Sequence, residues 1–123
     1  MNKPKVTVTF TRHVIDDPYP DLSYLERDYK EVTDEAEREK YKAQDAKRLA
    51  AYNRGEWHMI GICAKAIAWV ERTNYRTNYE LESPGLWAIE SDSDEEYLRD
   101  VFNNECEMLR EDIKYFTNAE FKS

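Results

Sequence analysis

Between Trp57 and Arg72 the chain reads WHMIGICAKAIAWVER, its most apolar run. Ile60, Ile62, Ala64, Ala66, Ala68 and Val70 share one parity, and Met59, Cys63, Ile67 and Trp69 share the other. A strand that is apolar on both sides needs cover on both, so this run predicts the central strand of a sheet. The remaining elements must be arranged around it.

Upstream, Val6, Val8 and Phe10 alternate with Thr7, Thr9 and Thr11, which predicts a strand over 5–14 with one buried face. The segment DDPYPDLSYL carries two prolines and reads as an extended connection, with Tyr19, Leu22, Tyr24 and Leu25 tacking it to the core. From Thr33 to Asn53 Glu, Lys, Arg and Ala dominate, and a helix is predicted there, with Thr33 as its cap and Gly55 just past its end. Its apolar stripe is thin and rich in alanine. After the central strand, a turn near Thr73–Asn74, a short polar strand ending at Leu81, the turn Ser83-Pro84-Gly85 and a strand over 86–89 are expected. Leu98, Val101, Phe102, Met108, Leu109, Ile113 and Phe116 then recur at helical steps.

The expected fold is therefore α+β in the order β-α-β-β-β-α, a single domain over 1–123. It has a mostly antiparallel sheet of three to four strands, with two helices packed on one face. The first strand either runs parallel to its neighbour or adds at an edge. With 123 residues, 41% of them hydrophobic and 13% aromatic, the chain has enough apolar surface for one core. Cys63 and Cys106 sit in apolar patterns, and buried free thiols are expected.

Charge narrows the function. A net charge of −8 opposes binding to nucleic acid phosphates or to an anionic membrane, so neither is expected as a direct partner. No run approaches the roughly 20 apolar residues of a membrane helix, and the N-terminus does not read as a signal peptide, so a cytoplasmic setting is expected. Three glycines, Gly55, Gly61 and Gly85, cannot assemble a phosphate-cradling loop. His13, His58, Cys63 and Cys106 show no metal-ligand spacing, and no cofactor or metal is expected. DSDEE at Asp92 echoes a calcium loop but lacks its central Gly and has Asn103 where the last ligand belongs. No pair of side chains stands out as catalytic, so an enzyme is not expected.

The acid does stand out. Ser93-Asp94-Glu95-Glu96 fits a capping box at the start of the last helix. Yet ten acidic residues and two basic ones lie between Glu90 and Asp112, far more than a cap needs. Three segments, DDPYPDLSYL, YNRGEWHMIGICAKA and LESPGLWAIESDSDEEYLRDVFNNE, together resemble a family of small proteins carried by bacteriophages and other mobile elements of bacteria. The resemblance covers most of the chain outside the first helix. In the family's pattern a Gly follows the Trp, where this chain has Ala88. The family has no assigned activity, so the resemblance implies a setting in a bacterial cytoplasm and no reaction.

Together these features point to a non-enzymatic acidic binding protein. It would inhibit a host defence complex, of anti-CRISPR or anti-restriction type, by setting carboxylates on a basic nucleic-acid-binding surface. The residues expected to carry this are Asp92, Asp94, Glu95, Glu96, Asp100, Glu107 and Glu111. The alternative is an accessory or regulatory module associating through an aromatic sheet face, as a homodimer among other arrangements, through Tyr75, Tyr79 and Trp87. A small-ligand site would instead need a pocket beside His13 or His58.

Overall fold

The computed structural model describes the backbone of residues 5–117 and the side chains of 5–114. Its elements are β1 (Lys5–Asp16), a short 3-10 turn (Ser23–Leu25), α1 (Glu35–Asn53), β2 (Met59–Glu71), β3 (Arg76–Glu82), β4 (Leu86–Glu90) and α2 (Glu95–Thr117). The order is the expected one, and all strand pairs are antiparallel. Of the two placements open for the first strand, the structure takes the antiparallel edge.

β2 is the spine. β1 pairs with it along its whole length, from Lys5↔Glu71 to Asp16↔Ile60. On its other side β3 takes 65–71 and β4 takes 59–62, so β3 and β4 lie end to end along one edge. Between them Ser83 keeps the ladder closed. Its N–H donates to the Ala64 carbonyl (2.9 Å), and its hydroxyl accepts from the Ala64 N–H (2.8 Å).

The even parity of β2 faces α2. Ala64, Ala66 and Ala68 pack on Cys106, Leu109 and Ile113, while Ile60 and Ile62 meet Ile89 and Val101. Small side chains on the strand let the helix axis come close, and Leu109, Ile113, Ile62 and Val70 fill the space. Each such buried side chain is worth about 1.5–3 kcal/mol. The side chain of Phe116, placed on this stripe by its spacing, lies outside the described residues.

The expectation of two helices on one sheet face holds for α2 alone. No residue of α1 is fully buried. Leu49, Ala51 and Tyr52 instead pack with Leu22 on Leu25, Trp57 and Met59, at the start of β2 and on its odd parity. The alanines that permit close approach are those of β2, so the thin stripe of α1 is left with a peripheral dock. Its cap is Asp34, which accepts from the N–H groups of Ala36 and Glu37, and not Thr33. In the connecting loop Leu25 is buried, but Tyr19 stands in solvent.

β2 and β4 meet at a bulge. Ile60 faces Ile89 and Ile62 faces Leu86, so Trp87 and Ala88 together oppose Gly61. Ala88 adopts φ +59°, a left-handed conformation that glycine enters at far lower cost. The Trp87 ring turns onto Gly61, where a Cβ would lie only 2.2 Å from Cε3.

Candidate functional site

The acidic segment divides into three groups by what each carboxylate touches. The first group holds the chain together. Asp94, one residue later than expected, caps α2: its Oδ1 accepts from the Tyr97 N–H at 2.8 Å. The Ser93 hydroxyl turns back to donate to the Glu90 carbonyl (2.6 Å), so the Ser93–Glu96 box does not form. Glu105 is only 3% exposed and accepts from the Gly85 N–H at 2.7 Å, fastening the Ser83–Gly85 turn to the helix. Its place was visible in the sequence, four residues from both Val101 and Leu109 on the buried stripe.

The second group is neutralised across elements. Arg48 of α1 reaches Asp92 with two hydrogen bonds (2.7 and 2.6 Å) and Glu90 at 3.2 Å. Its guanidinium lies 3.9 Å from the centre of the Trp57 ring, and the Trp57 indole N–H donates to the Arg48 carbonyl. The hydrogen bonds from Arg48 hold the Asp92 carboxyl below its usual range. Burial and the Glu90 carboxylate raise the Tyr24 hydroxyl, which donates to Glu90 at 2.7 Å. This cluster is the dock of α1, and nothing in the residue pattern around Arg48 announces it. Glu95 likewise pairs with Arg12 of β1 at 2.7 Å.

The third group remains at the surface. Glu96, Asp100, Glu107 and Glu111 are exposed and fall at helical steps opposite the buried stripe. They span about 22 Å of helix at 1.5 Å per residue. Glu107 pairs with Arg110 (2.7 Å) and Glu111 with Lys114 (3.7 Å), both i,i+3 contacts at the solvent face. Glu96 and Asp100 carry no ion pair among the described residues. Of the seven expected site residues, these four share a face, whereas Asp92, Asp94 and Glu95, also solvent-exposed, are engaged by Arg48, the Tyr97 N–H and Arg12.

The aromatic alternative comes apart in three dimensions. Tyr79 lies on the α2 side of β3 and packs against the core. Trp87 covers Gly61 on the opposite side, and Tyr75 sits at the tip of the β2–β3 hairpin. Of the tryptophans, Trp57 is buried, while Trp87 is 40% exposed and Trp69 stacks under Arg76 with 4.2 Å from guanidinium to ring centre.

The odd parity of the sheet is open. A shallow groove of about 420 Å³ there is lined by Thr11, His13, Lys65, Ile67, Glu80 and Glu82 among others. Cys63 lies beneath its end, buried, with Sγ 3.6 Å from Glu82 Oε1. Burial raises the Cys63 thiol and the Cys106 thiol, and the Glu82 carboxylate raises the former further, so both stay protonated and unreactive as nucleophiles. His58 is half exposed beside Asp16 (3.2 Å). No cluster of metal-ligating side chains occurs among the described residues, and none of their helices is long and apolar enough to cross a membrane. No protein-family model, curated protein or solved structure matches the chain.

Proposed function

We propose that this protein is a non-enzymatic binding module whose outer α2 face engages a basic surface on a partner protein. The observation that carries this is the row of Glu96, Asp100, Glu107 and Glu111, exposed along one side of a 23-residue helix. Carboxylates repeated at helical turns suit a groove built to hold nucleic acid phosphates. The net charge of −8 steers the protein toward such a groove and away from nucleic acid itself. In the bacterial setting implied by the resemblance, a defence complex that grips nucleic acid is the target class.

The test compares the native protein with the variant Glu96→Gln, Asp100→Asn, Glu107→Gln, Glu111→Gln. These changes leave the Asp94 cap and the Arg12–Glu95 and Arg48–Asp92 pairs intact. Each protein is immobilised and exposed to bacterial lysate at low and high salt, and retained proteins are identified by mass spectrometry. The expected result is a nucleic-acid-handling protein held by the native form, lost with the variant, and released near 1 M salt, where screening acts within about 3 Å. Equal capture by both forms at all salt concentrations would refute the acidic-face mechanism.

A further inference from the structure

The two lateral edges of the sheet are built differently. The β3/β4 edge is blunted in several ways: two short strands, Pro84 between them, and the Trp87–Ala88 bulge. These are the devices by which sheets resist pairing with other chains. The β1 edge has none of them. It is 12 residues long, carries neither Pro nor Gly, and holds one continuous register with β2 from end to end.

Its backbone groups without a partner among the described residues can be assigned. The Asp17 N–H donates to the Met59 carbonyl (3.0 Å), which continues the β1–β2 ladder. Because hydrogen-bonded and non-bonded pairs alternate in an antiparallel ladder, the odd residues of β1 bond to β2. Val6, Val8, Phe10, Arg12, Val14 and Asp16 therefore point their N–H and C=O outward. Their side chains form a strip on the α2 side, with Val14 57% exposed.

We infer that this edge pairs antiparallel with the β1 edge of a second copy of this chain, continuing both sheets across a two-fold axis at Phe10. The strand is self-complementary in that register. Phe10 meets Phe10, Val6 meets Val14, Val8 meets Arg12 and Thr9 meets Thr11, and Lys5 faces Ile15, so no like charges oppose one another. All outward groups from Val6 to Val14 find partners. The pairing uses a surface separate from the outer α2 face, and it stands or falls independently of the function proposed above. It brings the two acidic helices to the same side of one sheet. Each copy carries −8, so salt must tighten this association, opposite to its effect on a basic partner.

Sedimentation equilibrium of the full chain at low and high salt tests the inference, with Val14→Pro as the probe. Proline at 14 removes an outward N–H and leaves the β1–β2 ladder intact. A dimer whose dissociation constant rises at least about tenfold with Val14→Pro, and falls with added salt, is the expected result. Residue-resolved amide exchange on the native protein gives a second measurement should the variant misfold. The amides of Val6, Val8, Phe10, Arg12 and Val14 should gain protection as concentration rises. A monomer at all concentrations to about 1 mM would overturn the inference. So would a dimer that leaves those five amides unprotected, or one broken by Ile67→Lys on the open sheet face and untouched by Val14→Pro.

Discussion

Replacing Gly61 with Ala should force Trp87 off the sheet, and the cost can be worked from the contacts. The new Cβ would lie 2.2 Å from Cε3, 2.5 Å from Cζ3 and 2.6 Å from Cδ2 of the indole. Carbon atoms settle at about 3.5–4.0 Å, so the ring must move by more than about 1 Å. Backbone holds Gly61 in mid-strand, whereas the ring is 40% exposed and can swing outward. Lifting it uncovers on the order of 100 Å² of buried aromatic surface, about 2.5 kcal/mol. It also breaks the Trp87 indole hydrogen bond to the Pro84 carbonyl (3.2 Å), worth about 0.5–1 kcal/mol net. Ala in place of Gly within a strand returns about 0.5–1 kcal/mol. Gly61→Ala should therefore destabilise by about 2–3 kcal/mol, and in a Trp87→Ala background it should be neutral or slightly stabilising. Urea unfolding followed by circular dichroism on the four members of the cycle measures the coupling, with unchanged m-values as the check on two-state behaviour. Gly61→Ala costing the same in both backgrounds would refute the packing of Trp87 on Gly61.

Other substitutions probe the remaining contacts. Ala88→Gly should stabilise by about 1 kcal/mol in the same unfolding assay, because the left-handed conformation at φ +59° strains a Cβ more than glycine's extra freedom costs. Glu105→Ala leaves the half-buried Gly85 N–H without its acceptor and should destabilise by about 1–3 kcal/mol. Arg48→Ala should loosen α1, with a loss of about 2 kcal/mol from charge-assisted hydrogen bonds and the Trp57 stack, part of it screened by salt. The folded-state pKa of Asp92 is lowered, so its contribution is present above the unfolded value near 3.9 and is lost as pH falls through the folded value. Trp57 fluorescence during acid titration should report the release of α1 below about pH 4 in the native protein and not in Asp92→Asn. Cys63 and Cys106 should resist alkylation at neutral pH until the chain is unfolded, and rapid labelling of the native protein would contradict their burial.

The elements were legible because each rests on a short-range period. The double parity of 59–71 marks a central strand, and the three-and-four spacing after Asp94 marks a helix with one buried side. Even the buried Glu105 lay open to the same argument, since it falls on the stripe of Val101 and Leu109. The positions of the caps shifted by a residue, from Thr33 to Asp34 and from Ser93 to Asp94, because Ser, Thr and Asp compete for the same amides and local geometry chooses among them. The location of α1 could not be foreseen in this way. Its stripe is too thin to specify a site, and its dock is made by one arginine reaching residues more than forty positions downstream.

The acidic face shows the same division. Charge count and residue spacing marked an excess of carboxylates on a helix with one apolar side, which is the ground for expecting a basic partner. Which carboxylates are engaged by the rest of the chain was decided by tertiary contacts: Arg48 to Asp92, Arg12 to Glu95 and Gly85 to Glu105, and only the last is withdrawn from solvent. Periodicity is a property of neighbouring residues, so it survives in the sequence. Charge pairing depends on which distant segments the sheet brings together, and only the folded chain holds that information.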